Sequence, residues 1–393
     1  MTAESIPLPQ TEKEEPFQSS QAVPVLVGHF VHDTYTAMVA PLLPVLIEKL
    51  SLSLTAAGSL NAIMQIPAVL NPLIGYLADK ASLRYFVIFA PAATATLVSL
   101  IGVAPNYLSI AILLFAAGVS TATFHAPAPA LLARLSGRKV GLGMSLFMAS
   151  GELGFTVGPL LAVWAVSTWT LEGIWRLAFV GWATSLWLFY RLRGVAARTE
   201  KPGSLRALLP ALGGVFVPLA FFNLFRNPLM ECLTTYLPTY MSGQGASLLV
   251  AGSSLSMVEL AGVAGALTIG MLSDRAGRKR VLFASSLMAS LSMLLFLRVE
   301  GWPQVPVLLA LGFSGFAALP IMLAIVQEQF PNNRAVANGL YMMILFLLRP
   351  LGTLAVGFLG DRVGLQTAFL YATLFSFLTL PVVLVLPEKP PAA

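Results

Sequence analysis

A stretch that occurs twice constrains this chain more than any other feature. It reads Gly75-Tyr-Leu-Ala-Asp79-Lys80-Ala-Ser-Leu-Arg84 and returns 195 residues later, in a chain of 393, as Gly270-Met-Leu-Ser-Asp274-Arg275-Ala-Gly277-Arg278-Lys279-Arg280. Two further pairs recur at an offset of 194, Leu43-Pro44 as Leu237-Pro238 and Ala57-Gly58 as Ala251-Gly252. Because these landmarks keep nearly one register, the sequence predicts a duplicated chain with two similar halves.

Long apolar segments surround both copies. Hydrophobic residues make up 57% of the chain and charged residues 10%, with a mean hydropathy of +0.82, whereas a soluble domain has about 25% charged residues. About 20 apolar residues in a helix cross the ~30 Å hydrocarbon core of a bilayer. The sequence therefore predicts an all-α membrane protein with twelve transmembrane helices, at about residues 23–47, 54–78, 85–104, 107–133, 140–166, 174–192, 210–240, 247–273, 281–299, 304–328, 335–360 and 365–386.

The twelve spans are predicted to form two six-helix bundles. The longest internal connection lies between the sixth and seventh spans and contains several Arg residues, Pro202 and Gly203. The first residues are rich in Pro, Glu, Ser and Gln, which is typical of a disordered tail. We therefore expect a cytoplasmic tail (1–22), an N-terminal bundle (23–192), a cytoplasmic linker (193–209), a C-terminal bundle (210–387) and a second cytoplasmic tail (388–393).

Lys and Arg are concentrated in alternate connections between the spans. With the N-terminus inside, the outer connections hold only Lys49, Arg176, Arg298 and Arg362. The positive-inside rule then predicts a multi-pass protein of the cell inner membrane with both termini in the cytoplasm. The same distribution explains the pI near 9.5 without a basic face for nucleic acid, which we exclude as a partner.

Several ionisable side chains fall inside the predicted spans, where a charge costs about 2.5 to 3.5 kcal/mol, so each is a candidate for function. They are His29, His32 and Asp33 in the first span, His125 in the fourth, Glu152 in the fifth, Arg226 and Glu231 in the seventh, Glu259 in the eighth and Arg349 in the eleventh. All three histidines of the chain are among them, and histidine is the side chain that titrates near neutral pH.

These residues suggest two tasks. We predict that Asp33 carries protons together with His29, His32, His125 and Glu152. Burial in the middle of the membrane raises the pKa of a carboxyl group towards the working pH. We predict a substrate site at Arg226, Arg349, Glu259 and Tyr35, because a guanidinium stays charged and binds carboxylate or phosphonate through two hydrogen bonds.

Two other interpretations of the same residues stay open. The polar groups can pair with one another and hold helices together. Alternatively, His29, His32 and Asp33 can form a metal site, since two imidazoles and a carboxylate are zinc ligands. The single cysteine, Cys232, excludes an intramolecular disulfide and a cysteine-based metal site. We predict no cofactor and no metal.

The repeated stretch follows the pattern G-x-L-x-D-[RK]-x-G-R-[KR], which resembles the signature loop of the major facilitator superfamily of transporters. The second copy is nearly complete, whereas the first has Ser82 for Gly and Leu83 for Arg. The resemblance implies a gating loop in each half, with the residues Gly75, Asp79, Arg84, Gly270, Asp274, Arg275, Gly277 and Arg278. In the fifth span, Gly154-Phe-Thr-Val-Gly158-Pro159 is similar to the motif of proton-driven antiporters in this superfamily.

Two further stretches, Gly28-His29-Phe-Val-His32-Asp33 and Phe124-His125-Ala126-Pro127, resemble the fosmidomycin-resistance family of efflux transporters. That family has Asn at the position of His32, and its F-H-P is followed by an acid that this chain lacks. The resemblance implies a monomeric twelve-helix carrier that exports a small anionic or amphiphilic compound by alternating access, driven by protons. Two alternatives are a proton-coupled uptake symporter for an organic anion and a membrane-embedded metal enzyme using His29, His32, Asp33 and His125.

Overall fold

The computed structural model describes residues 17–70, 83–195, 212–330 and 334–387, and within these ranges the regular structure is helical. The helices run back and forth between two ends of the molecule. We call them the Ser51 end, which holds the turns near Ser51, Glu172, Gly245 and Gly364, and the Arg278 end, which holds the opposite turns. Lys49 Nζ contacts the Glu172 carboxylate at 2.7 Å at the Ser51 end.

The N-terminal half contains eight α-helices within the described residues. They are α1 (Ser19–Ala37), α2 (Val39–Leu50), α3 (Leu54–Gln65), α4 (Leu83–Ser99), α5 (Tyr107–His125), α6 (Ala128–Leu135), α7 (Val140–Trp169) and α8 (Ala178–Leu192). Polar side chains start the helices at the Ser51 end, where Ser53 Oγ accepts a hydrogen bond from the Ala56 amide and Asn106 forms a capping box with Ser109. Such caps satisfy amide groups that the helix itself leaves unpaired.

The C-terminal half repeats this arrangement with nine α-helices in its described part, residues 212–330 and 334–387. They are α9 (Val217–Thr234), α10 (Leu237–Gly243), α11 (Leu248–Ala276), α12 (Arg278–Phe296), α13 (Gln304–Gly315), α14 (Ala318–Gln329), α15 (Arg334–Val363), α16 (Leu365–Ser376) and α17 (Thr379–Val385). The first predicted span of each half is broken into two helices, at Met38 in one half and at Thr235-Tyr236 in the other.

Nine helical segments within the described residues are long and apolar enough to cross a membrane. The other three predicted spans contain α3, α8 and the pair α9–α10. Large apolar side chains point outward around the molecule; Leu108 is 66% exposed and Met271 is 63% exposed. A bilayer covers such surfaces with lipid. The predicted twelve-helix membrane fold is confirmed.

Close packing inside the N-terminal half depends on glycine. Helix α7 lies against α1 along Gly151, Gly154 and Gly158. A Cβ at Gly154 would lie 2.6 Å from the Phe30 carbonyl oxygen, and one at Gly158 would lie 2.4 Å from that of Thr34. These glycines therefore let α7 pack directly against the polar part of α1.

The two halves meet through two helix pairs, α3 against α15 and α7 against α11. A Cβ at Gly252 of α11 would lie 2.4 Å from Val163 Cγ2 of α7. Asn61 of α3 donates a 2.6 Å hydrogen bond to Thr235 Oγ1 of the other half. These contacts lie towards the Ser51 end, so the halves are closed there.

Candidate functional site

A cavity of about 330 Å³ lies between the halves, on the Arg278 side of these contacts. Its wall combines apolar side chains with a few polar ones from helices of both halves. Ser145 and Glu152 come from α7, Asn223 and Arg226 from α9, and Arg349 from α15. A mostly apolar cavity of this size with a few converging polar groups is typical of a small-molecule site.

Arg226 is a cation in this wall without a carboxylate partner among the described residues. Its Nη2 donates a hydrogen bond to the Gly315 carbonyl, and its side chain is half-buried. A guanidinium has five N–H donors in a planar fork, so most of its donors stay available on the cavity side. A buried cation without a counter-ion is costly. An anion that enters the cavity would relieve this cost.

Arg349, the second cation of the wall, is already neutralised. Its Nε donates to Glu231 Oε1 at 2.7 Å, and the Glu231 side chain is fully buried. The other carboxylate oxygen of Glu231 accepts from Thr235 Oγ1 at 2.6 Å and from Thr353 Oγ1 at 2.8 Å. Arg349 and Glu231 therefore form a saturated pair, and the sequence-predicted substrate contact of Arg349 would need this pair to rearrange.

Two further carboxyl groups surround Arg349. Glu152 lines the main cavity, whereas Glu259, which is 4% exposed, lines a smaller cavity of about 70 Å³ next to it. Arg349 borders both cavities and interacts electrostatically with both groups. The structure thus brings Glu152, Glu259 and Arg349 together between the halves.

The N-terminal half holds a second polar centre, formed by His29, Asp33 and His125. His29 Nε2 lies 3.0 Å from Asp33 Oδ2, and His125 Nε2 lies 3.4 Å from Asp33 Oδ1. The two imidazole Nε2 atoms are 3.2 Å apart. The structure therefore joins the His29–Asp33 pair, which is spaced by one helical turn on α1, to a histidine at the end of α5.

The protonation of this centre follows from its backbone contacts. His29 Nδ1 lies 2.8 Å from the Phe147 carbonyl oxygen, and His125 Nδ1 lies 3.1 Å from that of Thr121. A carbonyl oxygen only accepts, so both Nδ1 atoms carry hydrogen and donate. If both rings were neutral, two Nε2 lone pairs and the Asp33 carboxylate would face one another. The arrangement therefore requires at least one shared proton or another cation at its centre.

The members of this centre differ in exposure. The side chains of His29 and Asp33 are 5% and 4% exposed, whereas that of His125 is 33% exposed. His32, which the sequence also assigns to the proton site, stacks on Phe124 with ring centroids 4.7 Å apart. Its ring lies near the Ala90 carbonyl, but neither nitrogen has a hydrogen-bond partner. His125 is therefore the most exposed member of this centre.

The same centre has a geometry that a metal ion can use, because its ligand atoms lie within 4.8 Å of one another. Of the four residues that the sequence offers for a metal, the structure brings His29, Asp33 and His125 together, whereas His32 is not part of this group. A proton shared between the Nε2 atoms and the Asp33 carboxylate needs no further ligand.

The described residues of the predicted gating loops lie at the Arg278 end. Arg278 pairs with Asp274 and, at 3.0 Å, with Glu328, while Gly277 has a φ of +95° that ends α11. Arg275 is exposed, and Gly270 lies next to Pro320. Arg84 Nη1 donates to the Val195 carbonyl. Gly75 and Asp79 lie outside the described residues.

One predicted substrate contact lies away from both cavities. Tyr35 is 1% exposed, and its hydroxyl donates a 2.5 Å hydrogen bond to the Leu177 carbonyl inside the N-terminal half. Conversely, the predicted site omits Glu231, which holds Arg349. A glutamate inside a predicted span was the available signal for it, since such a group needs a partner.

Two similar helix bundles that enclose a mostly apolar cavity with a few converging charged groups define a carrier, not an enzyme. The family comparison agrees with this class. The family model of the Major Facilitator Superfamily matches residues 25–267 and 230–393. The chain belongs to the Major Facilitator Superfamily.

Individual relatives are distant but match over most of their length. The uncharacterized MFS-type transporter YfnC of Bacillus subtilis (strain 168) is 24% identical over 382 residues, 91% of each protein. The fosmidomycin resistance protein of Escherichia coli (strain K12) is 22% identical over 355 residues, 88% of this chain and 87% of that protein. A crystal structure of a bacterial homolog of the human lysosomal transporter Spinster covers 96% of this chain and 100% of its own, with a TM-score of 0.82 and 13% identity.

Proposed function

We propose that this transporter exports a small anionic or amphiphilic compound in exchange for protons. The observation that carries the substrate class is Arg226, a guanidinium in the wall of an apolar cavity without a carboxylate partner in the described chain. Arg349 and Glu259 are additional candidate contacts for the substrate. Arg349 can reach the substrate when its hydrogen bond to Glu231 loosens.

The proton site of this proposal is the centre of His29, Asp33 and His125. It holds at least one shared proton between two Nε2 atoms and a carboxylate, and a transported proton needs such a site that can be filled and emptied. His125 supplies access, and Asp33 is the acceptor. Glu152 interacts electrostatically with both Asp33 and Arg349. We assign it a share of the carboxylate duty, because the acid that follows F-H-P in the resembling family is absent here.

The relative named for fosmidomycin resistance supports the direction of the proposal, and the loop charges supply the orientation. They favour cytoplasmic termini in a cell inner membrane, and the Arg278 end then faces the cytoplasm. With the Ser51 end closed, the cavity receives its substrate from the cytoplasm, as export requires. Substrate and proton would favour different cavity states, and this difference in affinity drives the change between them.

The relative named for fosmidomycin resistance supports the same substrate class. Fosmidomycin is a phosphonate, and a phosphonate is an anion that a guanidinium binds through two hydrogen bonds. We therefore propose fosmidomycin-like anions as the first compounds to test for this chain.

The test is thermal unfolding of the purified transporter with fosmidomycin, simple carboxylates and the cation ethidium. An anion present at 100 times its Kd would add about 2.7 kcal/mol to the free energy of unfolding, and we expect this gain for at least one anion. Arg226→Gln would lose the gain, whereas the control Arg298→Gln, at an exposed site, would keep it. Stabilisation by ethidium alone, or an equal gain in Arg226→Gln, would overturn the proposed substrate class.

Two further outcomes separate the alternatives. In vesicles with an imposed pH difference, movement of the anion with protons rather than against them would assign an uptake symporter. One zinc ion per molecule of purified protein would show that a metal, rather than a proton, occupies the His29–Asp33–His125 centre.

A further inference from the structure

The repeated motif has a third copy that neither the duplication nor the cavity explains. Gly357-Phe-Leu-Gly-Asp361-Arg362-Val-Gly364 follows G-x-L-x-D-R-x-G and lies 87 residues after the start of the second copy. It forms the end of α15, and Gly364, with a φ of +81°, terminates that helix. The second copy lies at the Arg278 end, whereas this one lies at the Ser51 end.

The acid of this copy reaches across to the other half of the molecule. Asp361 Oδ1 accepts a 2.6 Å hydrogen bond from the Leu54 amide, and Oδ2 accepts from the Thr55 amide at 2.9 Å and the Thr55 hydroxyl at 2.5 Å. Leu54 and Thr55 are the first residues of α3. The first amides of a helix have no partner within it, and a negative charge is favourable there. Asp361 therefore caps a helix that belongs to the opposite half.

The glycine that opens the motif makes this approach possible. A Cβ at Gly357 would lie 2.3 Å from the Tyr236 hydroxyl and 2.9 Å from the Leu54 carbonyl oxygen. The Tyr236 hydroxyl lies 3.2 Å from that same carbonyl and 3.0 Å from the Thr353 carbonyl. Gly58 of α3 also leaves room for the Tyr236 hydroxyl, because a Cβ at Gly58 would overlap it. The capped end of α3 is thus in direct contact with α15.

We propose that the third copy is a latch that holds the two halves together at the Ser51 end, with Asp361 as its positioning residue. When the halves separate at this end, the three hydrogen bonds to Asp361 break and the first turn of α3 loses its second cap. Ser53 remains as the cap that α3 has in its own half. The latch thus favours the conformation that is closed at the Ser51 end, whichever compound is carried.

A matched control lies at the same end of the molecule. The Glu172 carboxylate is exposed and bonds to Lys49 at 2.7 Å and to Thr170 at 3.0 Å, all within the N-terminal half. The hydrogen bond from the Lys49 ammonium lowers the pKa of Glu172 to about 2. Glu172 is therefore also charged at neutral pH, but none of these bonds breaks when the halves separate.

The experiment measures the opening of the Ser51 end by double electron–electron resonance. Spin labels are placed at Ser51→Cys and Glu300→Cys, two exposed sites on opposite halves, in a Cys232→Ala background. Asp361→Ala is expected to raise the fraction of long distances at least threefold, and Asp361→Asn, which keeps one acceptor oxygen, to raise it less. Glu172→Ala is expected to leave the distribution unchanged. Unchanged distances in both Asp361 variants, or an equal shift in Glu172→Ala, would overturn the latch.

Discussion

The two halves share a repeat, but their polar centres are of opposite kinds. The N-terminal centre joins the imidazoles of His29 and His125 to the Asp33 carboxylate. The C-terminal half places guanidinium groups at the cavity, Arg226 without a carboxylate and Arg349 bound to Glu231. The two halves have similar helices, and we propose that their different side chains divide the work into proton handling and anion binding.

The two arginines sharpen the comparison inside the C-terminal half. Arg349 belongs to a saturated pair with a fully buried carboxylate, whereas Arg226 has a carbonyl as its protein partner. Removing one partner of a buried pair leaves an uncompensated charge, but removing an unpaired charge does not. Substitutions of equal size at the two sites are therefore expected to affect different properties.

The largest expected effect is a loss of stability in Arg349→Gln. Glu231 would be left charged and buried, which costs about 3 to 5 kcal/mol. Thermal unfolding of the purified protein measures this cost. Arg226→Gln serves as the control and is expected to unfold at or above the temperature of the unsubstituted protein. A similar loss in both variants would show that the two arginines have the same structural role.

The next effect concerns anion affinity. Arg226→Lys keeps the positive charge but loses the planar fork of donors. We expect anion binding to weaken about tenfold, which corresponds to ~1.4 kcal/mol, while unfolding stays unchanged. Titration calorimetry with the best anion from the stabilisation panel measures it. Full affinity in Arg226→Lys would mean that charge alone selects the substrate.

A smaller effect is expected at the entrance of the N-terminal centre. His125→Ala removes the exposed member of the centre but leaves the His29–Asp33 contact in place. Transport driven by a pH gradient is expected to continue, with its pH optimum displaced by about one unit. A pH profile of transport in vesicles tests this, and complete loss of activity would assign His125 the role that we give to Asp33.

The smallest effect is expected for Glu152→Gln. Glu152 borders the cavity and interacts with Arg349, but Arg349 has its main partner in Glu231. We expect the ratio of protons to substrate to fall by less than half. Counterflow assays at two pH values measure the ratio. Complete uncoupling in this variant would move the proton site from the N-terminal half to the interface.

The sequence predicts the fold well because a bilayer reduces folding to a one-dimensional pattern of apolar segments. The contact between His29 and Asp33 is of the kind a sequence can show, because residues four apart on one helix lie on the same face. The pairing of Arg349 with Glu231 could not be predicted from spacing along one helix. Glu231 follows Arg226 by five residues, which places the two on different faces of α9, and its partner comes from a helix 118 residues away.

The third copy of the motif can be found in the sequence, but its role between the halves cannot be predicted from the sequence. A pattern match identifies Asp361, whereas its contact with Leu54 depends on how the two halves meet. The same holds for the proton centre, since the carbonyl groups of Phe147 and Thr121 determine which imidazole nitrogens donate. Every residue has a backbone carbonyl group, so residue identity does not show which carbonyl groups accept these hydrogen bonds.

The division of work between the halves is tested most directly by counting protons released when an anion binds. The purified transporter is mixed with the best anion from the stabilisation panel, in weakly buffered detergent solution near pH 7, and the pH change is recorded. The unsubstituted protein is expected to release protons as the anion binds. Asp33→Asn is expected to bind the anion with similar affinity and release none. Equal proton release from Asp33→Asn would contradict the account.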